Sequence, residues 1–236
     1  MTGRGPTRRI VRRVLGGVVR RTWSAATDAG SIRTGDRAAR RFGAFGADSV
    51  VCFPWLALYG ERWMRVGDDT MIGPGCSLSV GMRPGQEMVS DPVLRIGDRC
   101  VIGRHSSIVA HFEVDIGDDV MTGPGVYITD QNHAYDDVDL PIGRQEPSEH
   151  PVRIGSGSWL GAGVVVVPGA RIGRNVTVAA NAVVVGDLPD HVVAAGVPAR
   201  VVRRHVDGRW RSEVPDGVDG TNGDDDAVGE VPGGAG

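Results

Sequence analysis

The chain has 236 residues and a net charge of −3, so it is long enough for one ample domain with tails and carries no bulk basicity for nucleic acid. Its charge is unevenly spread: residues 1–21 hold seven Arg and no acid, residues 207–236 hold eight acids and two Arg, and Lys is absent throughout. No apolar run approaches the roughly 20 residues of a membrane span.

Residues 1–45 form a basic N-terminal segment. Within it, 8–25 have the spacing of a short amphipathic helix. Ile10, Val11, Val14, Leu15, Val18 and Val19 recur at helical intervals, with Arg8, Arg9, Arg12, Arg13, Arg20 and Arg21 between them. Such a helix either lies on a membrane surface, drawn to anionic lipid, or docks on its own domain or a neighbouring subunit. Gly16 and Gly17 weaken any isolated helix. Arg12 and Arg13 break the apolar run, which argues against a secretory signal. Residues 30–60 are irregular and lead into a repeat.

The repeat is a strict six. Val66, Ile72 and Leu78 open the frame, and residues 81–92 interrupt it with Pro84, Gly85 and Pro92. It resumes at Ile96, Ile102 and Ile108, slips by two residues, and continues at Ile116, Thr122 and Ile128. A second interruption spans 129–153. The frame then runs through Ile154, Leu160, Val166, Ile172, Val178 and Val184. Neither a 3.6-residue nor a 2-residue period explains this spacing. A period this short means that no unit buries its apolar face alone, so the units must stack.

The aliphatic positions mark one inward side chain per short strand. Gly and Asn mark corners that need positive φ or a tight turn. Three units close a triangular coil, and stacked coils make an all-β parallel prism over 46–204. A glycine-rich sandwich would be punctuated at longer, irregular spacings. Cys76 and Cys100 each follow a repeat aliphatic by four places, as small core fillers. With Cys52 they form no CxxC, which suggests neither disulfides nor a zinc knuckle and points to a reducing, cytoplasmic setting. Residues 205–236, acidic and Gly-rich, read as a disordered tail.

The second interruption holds Asp130-Gln131-Asn132-His133. Loops that leave a regular scaffold are where function tends to sit. That loop, the hexads, the Trp159-Leu160-Gly161 unit and the ending Val193-Ala194-Ala195-Gly196-Val197-Pro198-Ala199-Arg200 together resemble the hexapeptide-repeat acyltransferases. The branch most similar holds maltose, galactoside and colanic-acid O-acetyltransferases, and the resemblance covers about residues 60–204. It implies a left-handed parallel β-helix and a homotrimer with an active site between each pair of neighbouring prisms. Left-handed crossovers break the general rule for parallel strands, so the handedness comes from the resemblance alone.

Acyl transfer from a thioester to a hydroxyl needs a base, oxyanion donors and alignment of both substrates. The resemblance makes His133 the base, acting by direct attack without an acyl-enzyme. Imidazole, with an ordinary pKa of about 6.5, is largely neutral at cellular pH. Asn132 and Asp130 are near enough in sequence to orient the imidazole or the substrate. The position after Gly161, often Ser in the family, is Ala162, which leaves a main-chain N–H for the oxyanion. Trp159 either walls the coenzyme or acceptor groove or packs at the trimer seam. Ala180 matches a corner that meets pantetheine through its backbone. Arg200 and Arg203, with Arg204, would meet the nucleotide phosphates of acetyl-CoA or another acyl-CoA. A Thr-Lys pair common in the family is replaced by Val185-Gly186.

These residues lead to an acyl-CoA-dependent O-acyltransferase that acetylates a sugar or glycan precursor and needs no metal. Two other classes stay open. His105 and His111 each sit three places after a repeat aliphatic, and the γ-class carbonic anhydrases bind zinc through histidines on this type of prism. This chain lacks the His-x4-His spacing of those enzymes. A non-catalytic scaffold is the third class. The acceptor itself is not legible; a larger glycan, a lipid-linked sugar and a secondary-metabolite hydroxyl all fit.

Overall fold

A computed structural model describes residues 6–213. One helix, Pro6–Gly30, precedes a succession of short strands. These sort into sheets of ten, seven and six strands, and a two-stranded ribbon formed by the second interruption. Each coil visits the three sheets in fixed rotation. Met64–Val66, Met71–Ile72 and Ser77–Val80 make one coil, and Leu94–Ile96, Val101–Ile102 and Ser107–Ala110 the next.

Neighbouring coils pair in parallel, and the hexad frame is their register. Phe45, Val66, Ile96, Ile116, Ile154, Ile172 and Leu188 form one ladder. Leu58, Leu78, Ile108, Ile128, Val166 and Val184 form the second. Val51, Ile72 and Ile102, then Thr122, Leu160, Val178 and Ala194, line the third. The hexad residues from Val66 to Val184 are buried. Each fully buried aliphatic side chain is worth about 1.5–3 kcal/mol of transfer free energy.

Away from the edge where the two interruptions leave, the residue four places on fills the corner behind the ladder. Where it is polar, it is satisfied. The Thr70 hydroxyl donates to the Gly97 carbonyl (2.7 Å) and accepts from the Cys100 N–H (3.0 Å). The Ser158 hydroxyl does the same between Gly173 and Val176. Cys76 and Cys100 are the expected fillers. Burial pushes both thiols up, so neither is a ready nucleophile at neutral pH.

On the first and third ladders, from Val66 to Val178, the residue directly after the aliphatic is small, and close approach between coils requires it. A Cβ on Gly67 would sit 2.6 Å from the Gly97 carbonyl carbon. Positive φ is needed two residues further on, as at Gly157, Asn175 and Asn181. Gly67→Ala is therefore expected to destabilise by roughly 2–3 kcal/mol, since neighbouring backbone must move apart. Gly143→Ala, where a Cβ meets nothing, should stay within about 0.5 kcal/mol. Chemical denaturation of the two variants checks the contrast.

Both ends differ from the sequence expectation. The helix is longer than 8–25, because Pro6 is tolerated in a first turn and nothing in 26–29 stops it before Gly30. Its side chains are described from Arg12 onward. The prism starts at Ala44–Phe45, and Ile32–Arg33 pairs antiparallel with Val50–Val51. At the other end, residues 205–213 are ordered into strand rather than tail. Arg200–Val206 folds back on Val192–Ala195, and Arg209–Ser212 extends it. Asp207-Gly208, both at positive φ, make the tight turn, and the His205 ring packs edge-on against Trp210. Antiparallel strands thus flank the parallel stack at both ends of the ten-stranded sheet. The remainder of the expected tail, 214–236, lies outside the described residues.

Candidate active site

Both interruptions leave the same edge of the prism. One follows Ser77–Val80 and the other Tyr127–Thr129, both in the six-stranded sheet; both re-enter on the seven-stranded sheet. The coil between them turns that edge tightly through residues 111–113. Gln131 and Met82 touch across the gap, Nε2 to Sδ at 3.9 Å.

Asp130 fastens the second loop to this turn. Its carboxylate, fully buried, accepts the main-chain N–H groups of His111 (2.8 Å), Phe112 (2.8 Å) and Glu113 (2.7 Å). Asp130 is thus committed to backbone, and the expected contact between it and the imidazole is absent among the described residues. Beyond it, Gln131–Asn132 pairs antiparallel with Ser148–Glu149, and the His150 N–H donates to the Asp130 carbonyl (2.8 Å). This closes a neck at the root of the loop. The far end is held by Gln145, whose amide donates to the Asp137 (2.8 Å) and Leu140 (3.0 Å) carbonyls.

His133 is the first residue past the neck. It is exposed, and its imidazole makes no hydrogen bond among the described residues. The Asn132 side-chain oxygen accepts the His133 main-chain N–H (3.1 Å), so Asn132 orients the backbone of His133 rather than its ring.

The residues expected at the coenzyme lie on a different edge, between the ten- and six-stranded sheets. Gly161, Ala162 and Ala180 stack there in successive coils, with the Asn181 N–H donating to the Ala162 carbonyl (2.8 Å). A Cβ on Gly161 would sit 2.6 Å from the Ala180 nitrogen, which holds that position small. The N–H groups of Ala162 and Ala180 make no hydrogen bond among the described residues. They are free to meet an acceptor oxygen. Trp159, half exposed, stands on the outer face of the ten-stranded sheet in register with Met121 and Thr177.

Arg200 is exposed at the end of the same edge, with Nη1 on the Ala199 carbonyl (2.9 Å). Arg203 is half-buried in the terminal hairpin and pairs with no carboxylate among the described residues. Arg204 is spent on Glu213 (2.7 Å). Gly161, Ala162, Ala180 and Arg200 thus share one edge, with Trp159 and Arg203 in one row of the adjoining ten-stranded sheet, and the His133 loop occupies another edge.

His105 and His111 lie on different edges. His105 turns a corner at positive φ beside Gly75, whereas His111 is buried with Nδ1 3.6 Å from Glu149 Oε1. Among the described residues no three His, Cys, Asp or Glu converge as a metal site. The roles of Glu149 and Gln145 at the loop escaped the sequence reading, which carries no signal for contacts between the loop's ends.

Comparison with known proteins follows the same outline. The bacterial transferase hexapeptide (six repeats) family matches residues 151–186, and the hexapeptide repeat of succinyl-transferase matches 93–130. A probable acetyltransferase of Mycobacterium tuberculosis, Rv3034c, is 37% identical over 60% of this chain and 42% of its own length. The galactoside O-acetyltransferase of Escherichia coli is 32% identical over 62% and 66%. The chain therefore spans less than two thirds of either relative. The putative lipopolysaccharide biosynthesis O-acetyl transferase WbbJ of Escherichia coli is 30% identical over 61% of this chain and 76% of its own. Among solved structures, the N-acyltransferase AntD of Bacillus cereus, in complex with dTDP and coenzyme A, shares the fold at a TM-score of 0.59. Its identity is 16%, covering 72% of this chain and 90% of that one. The repeats, the three-sheet prism and the match to WbbJ agree: the chain belongs to the hexapeptide-repeat acetyltransferase family and has its left-handed parallel β-helix fold.

Proposed function

We propose that the protein transfers an acetyl group from acetyl-CoA to a hydroxyl of a sugar or glycan precursor, with His133 as general base. The observation that carries this reading is an exposed imidazole with no hydrogen-bond partner among the described residues, presented at the mouth of a fastened loop. One relative is named for a galactoside acceptor and another for lipopolysaccharide biosynthesis, which supports the substrate class.

The chemistry balances with few groups. Neutral imidazole takes the hydroxyl proton as the oxygen attacks the thioester carbonyl. The Ala162 N–H would stabilise the resulting oxyanion, its side chain being a methyl group with no hydroxyl to offer. Collapse breaks the C–S bond, and the imidazolium returns its proton to the leaving thiolate. Arg200 and Arg203 supply donors for the coenzyme phosphates.

His133 and Ala162 lie on separate edges of one prism, so a site that uses both needs a second copy. The faces of the prism suit that assembly. Outward positions of the seven-stranded sheet are charged, including Arg65, Arg95, Asp115, Arg153, Arg171 and Asp187. The corresponding row on the ten-stranded sheet runs Val50, Met71, Val101, Met121, Trp159, Thr177 and Val193, apolar but for Thr177. An apolar row of this kind marks an interaction face. We assign it to the seam of a homotrimer, with one site at each junction.

Sedimentation equilibrium of the 24.9 kDa chain is expected to return three copies. Met121→Asp with Trp159→Asp should yield monomers that keep their secondary structure and bind acetyl-CoA at least about tenfold more weakly. A wild-type monomer that turns over acetyl-CoA would refute the shared site.

A further inference from the structure

The helix Pro6–Gly30 meets the prism at its last turn. The Ser31 hydroxyl donates to the Thr27 carbonyl (2.7 Å) and accepts the Phe53 N–H (3.0 Å), and Asp28 pairs with Arg33 (2.8 Å). Gly30 lies against the Phe53 ring, where a Cβ would come within 2.6 Å. From Arg12 to Ala26 every residue except Gly16 and Gly17 is exposed. From Arg12 to Thr22 the helix is therefore not docked on its own domain, while Trp23 and Ser24 line a cavity with Phe53, Leu56 and His105 of the prism.

Two features of that exposed stretch occur together. Val14, Leu15, Val18, Val19 and Trp23 recur along one side at helical spacing and are each 56–64% exposed. Arg12, Arg13, Arg20 and Arg21 stand among them, and no acid occurs before Asp28. An occupant must cover apolar surface and neutralise cations at once. A second copy of the helix would cover the stripe but would bring arginines against arginines with no carboxylate to pair them. A nucleic acid would meet the arginines but leave valine, leucine and tryptophan in water. An anionic bilayer satisfies both demands. Its headgroup phosphates take the guanidinium forks, and the headgroup–acyl boundary takes the apolar stripe, with Trp favoured at that depth. Among the described residues no helix is long and apolar enough to cross a membrane, so this one would lie along the surface.

We propose that this helix is a peripheral anchor that lies on an anionic lipid bilayer, with its aliphatic and tryptophan stripe in the headgroup boundary and its arginines on lipid phosphates. The proposal stands apart from the catalytic reading, because it rests on no residue of the candidate active site.

The test is co-sedimentation of the full chain with phosphatidylcholine vesicles containing about 30% phosphatidylglycerol, against phosphatidylcholine alone. Binding to the anionic vesicles is expected, at least about tenfold weaker to the neutral ones and similarly weakened in about 0.5 M salt. Arg20→Gln with Arg21→Gln should weaken it about twenty-fivefold, at roughly fivefold for each charge lost. Leu15→Asp with Val18→Asp should weaken it by more than about tenfold, with far-ultraviolet circular dichroism unchanged. These outcomes overturn the proposal: equal affinity for both vesicle types or none, a Leu15→Asp/Val18→Asp protein that binds like wild type, or a change in subunit stoichiometry in that variant, which would make a second copy the occupant. Preferential binding of duplex DNA over the vesicles does the same.

Discussion

His133→Ala is expected to lower the rate of acetyl transfer about a thousandfold while acetyl-CoA still binds. A positioned general base contributes roughly 10²–10⁴ in rate. The variant should fold normally. His133 is exposed and its ring holds nothing else in place, so truncation leaves no buried group without a partner. Its main-chain N–H keeps the bond to Asn132 whatever the side chain. Isothermal titration with acetyl-CoA, beside a thiol-release assay over a panel of sugar acceptors, measures the two quantities separately. Retained turnover with intact binding would remove His133 from the reaction. Equal loss of binding and rate would place it in the coenzyme site instead.

Asp130→Ala is expected to cost roughly 3–5 kcal/mol of stability and to abolish transfer along with it. The carboxylate is fully buried and accepts three main-chain N–H groups, and hydrogen bonds to a charged acceptor contribute about 1.5–3 kcal/mol each. Removing it strands donors inside the protein and frees the root of the loop. Asp130→Asn separates this from a direct role. One amide oxygen can still accept from Phe112 and Glu113, whereas the amide NH₂ would face the His111 N–H. The Asn variant should therefore fall between wild type and Ala in both denaturation midpoint and rate. A rate loss at unchanged stability would instead mean that Asp130 acts on the imidazole. In the structure Asp130 fastens the root of the loop from which His133 emerges.

The candidate site was legible in unequal parts. His133 and Asn132 stand out because their loop breaks a strict period, and an interruption is visible wherever a repeat is. The partner of Asp130 was not visible, since residues 111–113 lie one coil earlier and nothing local marks their N–H groups as unpaired. The hairpin at 200–212 did carry a signal, Asp207-Gly208 between two β-rich runs. The acidic, Gly-rich composition that follows obscured it. The helix was recognisable by its spacing, but whether it docks or protrudes depends on the surface beside it.

The hexad alone determined the prism. A stack of coils imposes the same steric demand every six residues: an inward aliphatic, a glycine where backbones nearly touch, a residue that accepts positive φ at the corner. Those demands are local and repeat identically, so they are written in the chain. Which groups meet across coils is not local. The commitment of Asp130 to backbone, the gathering of both loops on one edge and the separation of His133 from Ala162 onto two edges follow from how coils stack and where each loop leaves. Only the tertiary structure decided them, because hydrogen-bond partners and prism edges are properties of the assembled turns and of no single one.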